Sequence, residues 1–419
     1  MSWFVVLCMG LLISSAIQFL LVAGFVRKLR QPTAKLITDE EAPAAMVVLC
    51  LRGGDPFLKR CLDGLIEQDY PNYHVCFMVD SESDPSLLAL GEVLGGSSFA
   101  NYEIRYLVQP LTTCSLKCSS LITALAPRIN SDGFVAFLDA DTIPHKTWLR
   151  ELATSLQSND VGAASGNRWY IPERASLGAM VRHVWNGAAV VQMYWYEIAW
   201  GGSLALKWDS IRRANLLERW SHALCEDTML FRELKSISQR VAFVPTCMMI
   251  NREICSLSSF FEWVMRQLLT ARLYHPKWPA VVVHGISSAG LLVCGWIGCL
   301  VSLIYGDLPV ALLYAMAMSS YHVFLTIMLP WMESAVLEIA KRRGEGVGST
   351  RPIGWLQYSW FVWSTQWVYT VALLSCLNMK RVLWRGIQYE VRSAFQIRML
   401  GYKSYEAEPA PKSQLSQSL

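Results

Sequence analysis

No charged side chain occurs between Phe4 and Val26, and Gln18 is the one strongly polar residue in that run. A stretch of this kind covers a hydrocarbon core of roughly 30 Å, so the chain must fold in lipid as well as in water. Three further long apolar stretches follow Trp278, at residues 280–305, 308–331 and about 355–377, divided by Gly306-Asp307 and by the basic Lys341-Arg342-Arg343. Composition agrees: 53% of residues are hydrophobic, only 17% are charged, and 17 are Trp, which is too apolar a surface for an ordinary soluble protein. The first run lacks a small-residue cleavage site and exceeds a signal peptide's apolar core, so it reads as a retained anchor.

Arg27, Lys28, Arg30 and Lys35 follow this anchor, whereas only Met1, Ser2 and Trp3 precede it. The positive-inside rule therefore places everything from Arg27 onward in the cytoplasm. Three more spans would leave Lys380, Arg381, Arg385, Arg392 and Arg398 outside, against the same rule. The Trp-rich residues 355–367 are accordingly expected to be re-entrant or interfacial. The 12 cysteines are scattered, and Cys8, Cys294, Cys299 and Cys376 fall in apolar stretches. In a reducing compartment they read as small buried hydrophobes rather than disulfides. A net charge of +4 without a basic stripe and interleaved aromatics suits an anionic lipid surface, and no nucleic-acid partner is expected.

Between the anchor and the later apolar stretches the pattern changes. Short apolar runs at 46–50, 74–79, 102–108 and 134–138 read as buried strands, and 57–68 and 119–129 as intervening helices. This alternation predicts an α/β, Rossmann-like fold: a mostly parallel sheet covered on both faces, with ligands beyond the C-terminal ends of its strands. The loops there are Arg52-Gly53-Gly54-Asp55, Asp80-Ser81-Glu82-Ser83-Asp84 and Asp139-Ala140-Asp141, which would converge on one edge. The expected organisation is an anchor at 1–30, a catalytic domain at 42–278 ending in an interfacial segment at 258–278, and membrane segments at 279–378. A basic juxtamembrane segment and tail occupy 379–419, and the Ser-, Pro-, Gln- and Glu-rich 406–419 are expected to be disordered.

The strand 134–138 ends in two carboxylates one residue apart. Alternate side chains of an extended chain share a face, so Asp139 and Asp141 can hold one hard divalent cation, Mg²⁺ or Mn²⁺, and through it a diphosphate; an Asp-rich turn is the plainer alternative. Glu226-Asp227 precedes a helix-like run and would either cap it or take a proton from an acceptor hydroxyl. Trp200-Gly201-Gly202-Ser203 lets backbone approach a ligand closely, or simply turns. Lys117 would reach a diphosphate, or stand solvated at a helix start. Residues 260–272 mix aromatics with cations, including Trp263, Arg266, Gln267 and Arg272; they suit the membrane interface, with the arginines facing substrate phosphates or lipid headgroups.

Taken in order, the anchor, Arg52-Gly53-Gly54-Asp55-Pro56, Gln68-Asp69-Tyr70-Pro71, Val79-Asp80-Ser81, Asp139-Ala140-Asp141, Glu226-Asp227, the Arg/Trp-rich segment and Leu383-Trp384-Arg385-Gly386-Ile387-Gln388-Tyr389 after the spans form a combination. It resembles the ceramide glucosyltransferase-like branch of inverting, GT-A fold, family 2-type glycosyltransferases. The resemblance implies a hexose, glucose first, moved from a UDP-sugar donor to a lipid hydroxyl such as that of ceramide, at the lipid bilayer. It implies that Asp80 meets the nucleotide, with Arg52, Lys117 and Asp139 beside it, that Asp139 and Asp141 bind Mg²⁺ or Mn²⁺, and that Asp227 is the base. Gly202, Ser203, Glu226, Trp263, Arg266, Gln267 and Arg272 fall to the acceptor and diphosphate. The family's Gln/Arg-x-x-Arg-Trp signature is not intact: Trp263-Val264-Met265-Arg266-Gln267 and Arg272-Leu273-Tyr274 keep its chemistry without its spacing. A processive polysaccharide synthase, which normally keeps that signature, and a catalytically silent membrane scaffold are the alternative readings.

Overall fold

A computed structural model describes residues 2–346 and 354–405. In chain order the elements are α1 (Ser2–Leu29), β1 (Ala45–Leu51), α2 (Leu58–Ile66), β2 (Tyr73–Val79), α3 (Ser86–Gly95), β3 (Tyr102–Tyr106), α4 (Leu116–Leu125), β4 (Phe134–Leu138), α5 (Trp148–Leu156), β5 (Val161–Tyr170), α6 (Leu177–Tyr196) and β6 (Ser203–Lys207). There follow α7 (Trp208–Arg213), α8 (Leu216–Trp220), α9 (Leu230–Ser236), β7 (Arg240–Asn251), α10 (Leu257–Tyr274), α11 (Trp278–Ile304), α12 (Leu308–Arg342), α13 (Trp355–Leu377), β8 (Arg381–Trp384), β9 (Ile387–Ser393) and β10 (Gln396–Leu400).

Seven strands form one sheet in the order β3-β2-β1-β4-β6-β5-β7. It is mostly parallel, as the alternation requires; β6 alone runs antiparallel to both its neighbours. The period of two is visible in the two cores. Met46 and Val48 of β1 and Val135 and Phe137 of β4 pack on one face, while Val47, Leu49 and Leu51, with Phe134, Ala136 and Leu138, pack on the other. The chain winds outward through β1, β2 and β3 and then returns to lay β4 against the free side of β1. Strand order reverses there, which opens a crevice between the ends of β1 and β4.

Gly133 feeds β4 with φ of +78°, and a Cβ there would lie 2.1 Å from the backbone oxygen of Ala44. Gly133→Ala is thus expected to cost on the order of 2 kcal/mol in stability, through left-handed strain and a clash with rigid backbone. A melting temperature in detergent equal to wild type would count against this account.

Among the described residues three helices, at Trp3–Leu29, Trp278–Ile304 and Leu308–Arg342, are long and apolar enough to cross a membrane. Gln18 is satisfied inside this layer: its Nε2 donates to the Tyr321 hydroxyl of α12 at 2.9 Å, as a polar group in lipid requires. Of the about three C-terminal segments expected, two, α11 and α12, meet this measure among the described residues. The third stretch, α13, is a continuous helix, diluted by Gln357, Ser359, Ser364, Thr365 and Gln366, and it packs on α6 and α10. α12 runs beyond the expected end at 331 to Arg342, and Arg343 then donates to the backbone oxygens of Thr246 and Met248 at 2.5 and 2.8 Å, joining it to β7.

Residues 381–400, read from sequence as a basic juxtamembrane stretch, instead form a three-stranded antiparallel sheet, β10-β9-β8. Val382, Ile387, Tyr389, Val391, Ile397 and Met399 are buried and join the larger core, leaving the charged residues outward. The Tyr389 hydroxyl accepts from the Leu116 N–H at 3.1 Å, so this small sheet sits over the start of α4. The tail expected to be disordered, 406–419, lies outside the described residues.

Candidate active site

The crevice at the ends of β1 and β4 is a cavity with charged walls, and most of the predicted residues meet in it. Arg52, Asp80, Lys117, Asp139, Asp141, Glu226, Asp227, Trp263, Arg266 and Gln267 all line it.

Lys117 is the second residue of α4, whose start is fixed by the Ser115 hydroxyl accepting from the Cys118 N–H at 3.1 Å. Its ammonium is therefore aimed by a capped helix, and it stands 2.7 Å from both Asp139 Oδ1 and Glu226 Oε1. Burial works against the charge on Asp139, but the adjacent Lys117 outweighs it and holds the carboxyl below its usual range. Among the described residues Asp141 has no cation within 4.0 Å. Burial first, and then the charge of Asp139, push its carboxyl up. Two half-buried carboxylates that offer only oxygen and oppose each other suit a hard divalent cation.

Glu226, read from sequence as an acceptor or diphosphate residue, is 1% exposed and pairs with Lys117. Burial, with Asp227 and Asp139 adding and Lys117 opposing, pushes its carboxyl up from 4.5 to about 7. A raised folded-state value means that the fold prefers the protonated group. Its stabilising contribution is complete below pH 4.5 and is lost as pH rises through 7. Wild type should accordingly lose melting temperature relative to Glu226→Gln between about pH 5 and 7.5; parallel profiles would remove Glu226 as the cause.

Asp227 does not cap the next helix, because α9 begins at Leu230 and its cap residue, Met229, makes no side-chain bond. Its carboxylate accepts from the Gly201 N–H at 2.9 Å and from the Thr228 N–H and hydroxyl at 2.6 and 2.9 Å, which fixes it at the cavity edge. The glycine pair has a steric reason. A Cβ on Gly202 would lie 2.2 Å from the Trp200 ring and 2.8 Å from Asp139 Oδ2. Gly202 thus shapes the wall without lining the cavity.

Two predicted residues lie elsewhere. Ser203 is fully buried at the start of β6 and accepts from Trp148 Nε1 at 2.8 Å, so it supports the sheet. Arg272 donates to the backbone oxygens of Cys376, Leu377 and Met379, closing the C-terminal end of α13, where orphan carbonyls need donors. On α10 the cavity takes Trp263, Arg266, Gln267 and Thr270, spaced as one helix face.

At the ends of β1 and β2, Arg52 pairs with Asp80. The C-terminal segment closes over both: Asp80 accepts from the Tyr402 hydroxyl at 3.1 Å and the Tyr405 N–H at 2.7 Å, and Arg52 donates to the Lys403 backbone oxygen at 3.0 Å. Burial raises the Asp80 carboxyl, against the pull of the Tyr405 N–H and Arg52. Arg168, Tyr170, Glu253, Trp384, Arg385 and Tyr389 also line the cavity without having been foreseen as site residues. The motif 383–389 had signalled the last three, but with no role attached.

Among the described residues one other set of metal-capable groups, His145, Glu151 and Cys247, lies within 4.8 Å of one another. It is a closed network, with Glu151 bound by His145 at 3.0 Å and Thr147 at 2.7 Å.

This architecture has solved counterparts. A mannosyltransferase, PcManGT, from Pyrobaculum calidifontis in complex with GDP-Man and Mn²⁺, is similar with a TM-score of 0.50 at 17% identity, covering 80% of this chain and 98% of that one. Glucosyl-3-phosphoglycerate synthase from Mycobacterium tuberculosis is similar with a TM-score of 0.37 at 15% identity over 56% of this chain and 80% of that one. The fold is thus of the GT-A kind. The glycosyltransferase GlyA of Streptococcus pneumoniae serotype 4 (strain ATCC BAA-334 / TIGR4) is 22% identical over 254 residues, 58% of this chain, and the chain spans about a third (33%) of that relative's length. From residue 6 to residue 397 the sequence matches the model described as Glycosyl transferase family 21, and the protein belongs to that family.

Proposed function

We propose that the protein is a membrane-bound inverting glycosyltransferase that moves a hexose, glucose first, from a UDP-sugar to the hydroxyl of a membrane lipid such as ceramide. The observation that carries this reading is the convergence of Asp139, Asp141, Lys117 and Asp227 on one cavity at the switch point of the sheet. Residues 42–278 are the catalytic domain, facing the cytoplasm, because Arg27-Lys28 ends α1 and Lys341-Arg342 ends α12.

In the transfer, Asp227 takes the proton of the acceptor hydroxyl as that oxygen bonds to the anomeric carbon. The bond from that carbon to the phosphate oxygen breaks, and its electron pair stays on the departing diphosphate. Attack opposite the leaving group inverts the centre. Asp80 and Arg52 hold the nucleoside end. Asp139 and Asp141 are suited to hold Mg²⁺ or Mn²⁺, which when bound neutralises charge on the diphosphate. Lys117 keeps Asp139 ionised and oriented. A lipid acceptor fits α10, which turns one face to the cavity and packs against α13 and α6.

The test is incubation of detergent-solubilised protein with a panel of UDP-sugars, Mn²⁺ or Mg²⁺ and total lipid extract, read by mass spectrometry. A metal-dependent hexosyl-lipid is expected. Absence of both product and nucleotide binding would instead support a silent scaffold.

A further inference from the structure

Besides Arg52, three guanidinium groups among the described residues reach the cavity from unrelated parts of the chain: Arg168 from β5, Arg266 from α10 and Arg385 from the turn between β8 and β9. We propose that Arg168 and Arg385 bind the phosphate oxygens of the donor's diphosphate, completing with Arg266 an anion cradle opposite Asp139 and Asp141. This inference rests on the nucleotide-sugar reading above.

The first argument is how the cations are held. The Arg168 guanidinium lies 5.5, 5.3 and 4.9 Å from the ring centres of Tyr170, Trp200 and Trp263, and that of Arg266 lies 4.8 Å from Trp384. Among the described residues neither has a carboxylate within 4.0 Å, whereas Arg52 and Lys117 in the same cavity do. A guanidinium resting on aromatic faces is placed without consuming its in-plane N–H donors, and those donors match phosphate oxygens in pairs.

The second is mutual repulsion. Burial, then Arg168 and Arg385, push the Arg266 guanidinium down to about 10, a large departure for a group that ordinarily never loses its proton. Arg168, Arg266 and Arg385 share the cavity lining with Asp139 and Asp141, and a metal-bound nucleoside diphosphate would offer a polyanion to the first set and a cation to the second.

The third is backbone. Arg385 has φ of +49° and Gly386 +76° in the two-residue turn between β8 and β9. Such hairpin turns favour Asn-Gly or Gly-Gly, so an arginine at the first position is held against local preference. Arg52 Nε donates to the Arg385 backbone oxygen at 3.1 Å, locking the tip over the cavity by a bond that does not involve the Arg385 side chain. Among the described residues its side chain makes only a long contact, 3.5 Å, to Asp55.

The test is binding of UDP and GDP, each compared with its nucleoside, to full-length protein in detergent with Mn²⁺, for wild type, Arg168→Gln, Arg385→Asn, Arg385→Gly and Arg385→Lys. Asn and Gly suit the positive φ and leave the turn intact. The diphosphate that binds wild type should weaken at least about tenfold in Arg168→Gln, Arg385→Asn and Arg385→Gly, with the nucleoside within about twofold and partial recovery in Arg385→Lys. Unchanged diphosphate affinity, or equal loss for nucleoside and diphosphate, would overturn the cradle alone. A wild type that binds neither diphosphate would overturn the nucleotide-sugar reading and this inference with it.

Discussion

Asp227→Asn is expected to lower kcat by about 10²–10⁴-fold, the usual worth of a positioned general base, while nucleotide affinity stays within about twofold. The substitution removes proton-accepting capacity and little else: the amide oxygen can still accept one of the bonds now made by the Gly201 N–H and by Thr228. The assay is single-turnover transfer beside calorimetric nucleotide binding. Glu226 is the rival base, but it is buried and already engaged by Lys117. Retained turnover in Asp227→Asn would pass the role to it, and collapse of nucleotide binding would make Asp227 a structural residue.

Asp141→Asn is expected to cost roughly 10³-fold in kcat/KM, because charge developing on the departing diphosphate loses its neutralising partner. The same variant should bind Mn²⁺ far more weakly, a direct readout by calorimetry or electron paramagnetic resonance that needs no turnover. Asp139→Asn should act differently. It also strips Lys117 of one of its two carboxylates, so loss of metal affinity is expected together with a lower melting temperature. Chelation that leaves wild-type transfer untouched would remove the metal role from both residues.

The parts of this molecule legible in sequence are those with strong periodicity. β4 falls at 134–138 as the apolar run indicates, and the carboxylates at its end lie in the crevice because β4 pairs with β1. The site residues that escaped notice sit where no local pattern marks function. Arg168 follows the short run Val161–Asn167 in a strand that pairs with β7, 240–251, far along the chain, and its cage of rings is assembled from β5, the turn before β6, and α10. Strands β8 to β10 alternate charged with apolar residues, so a composition reading sees only a basic stretch. Ser203 follows a glycine pair and Arg272 lies in an Arg/Trp-rich helix; their own orientation, into the sheet and onto the end of α13, is settled by packing that sequence proximity does not report.

The wall over Asp80 and Arg52 has a consequence for biogenesis. The bond from Arg52 to the Arg385 backbone spans 333 positions of sequence, and every apolar helix of the chain is synthesised before that partner exists. Closing so long a loop is slow unless the intervening helices first bring its ends together. Insertion of α11 and α12 and docking of α13 onto α6 and α10 do this, delivering the last small sheet to the start of α4. The cavity wall is thus in place only after α1 to α13 have been made, and a chain stalled or misinserted at α13 lacks that wall.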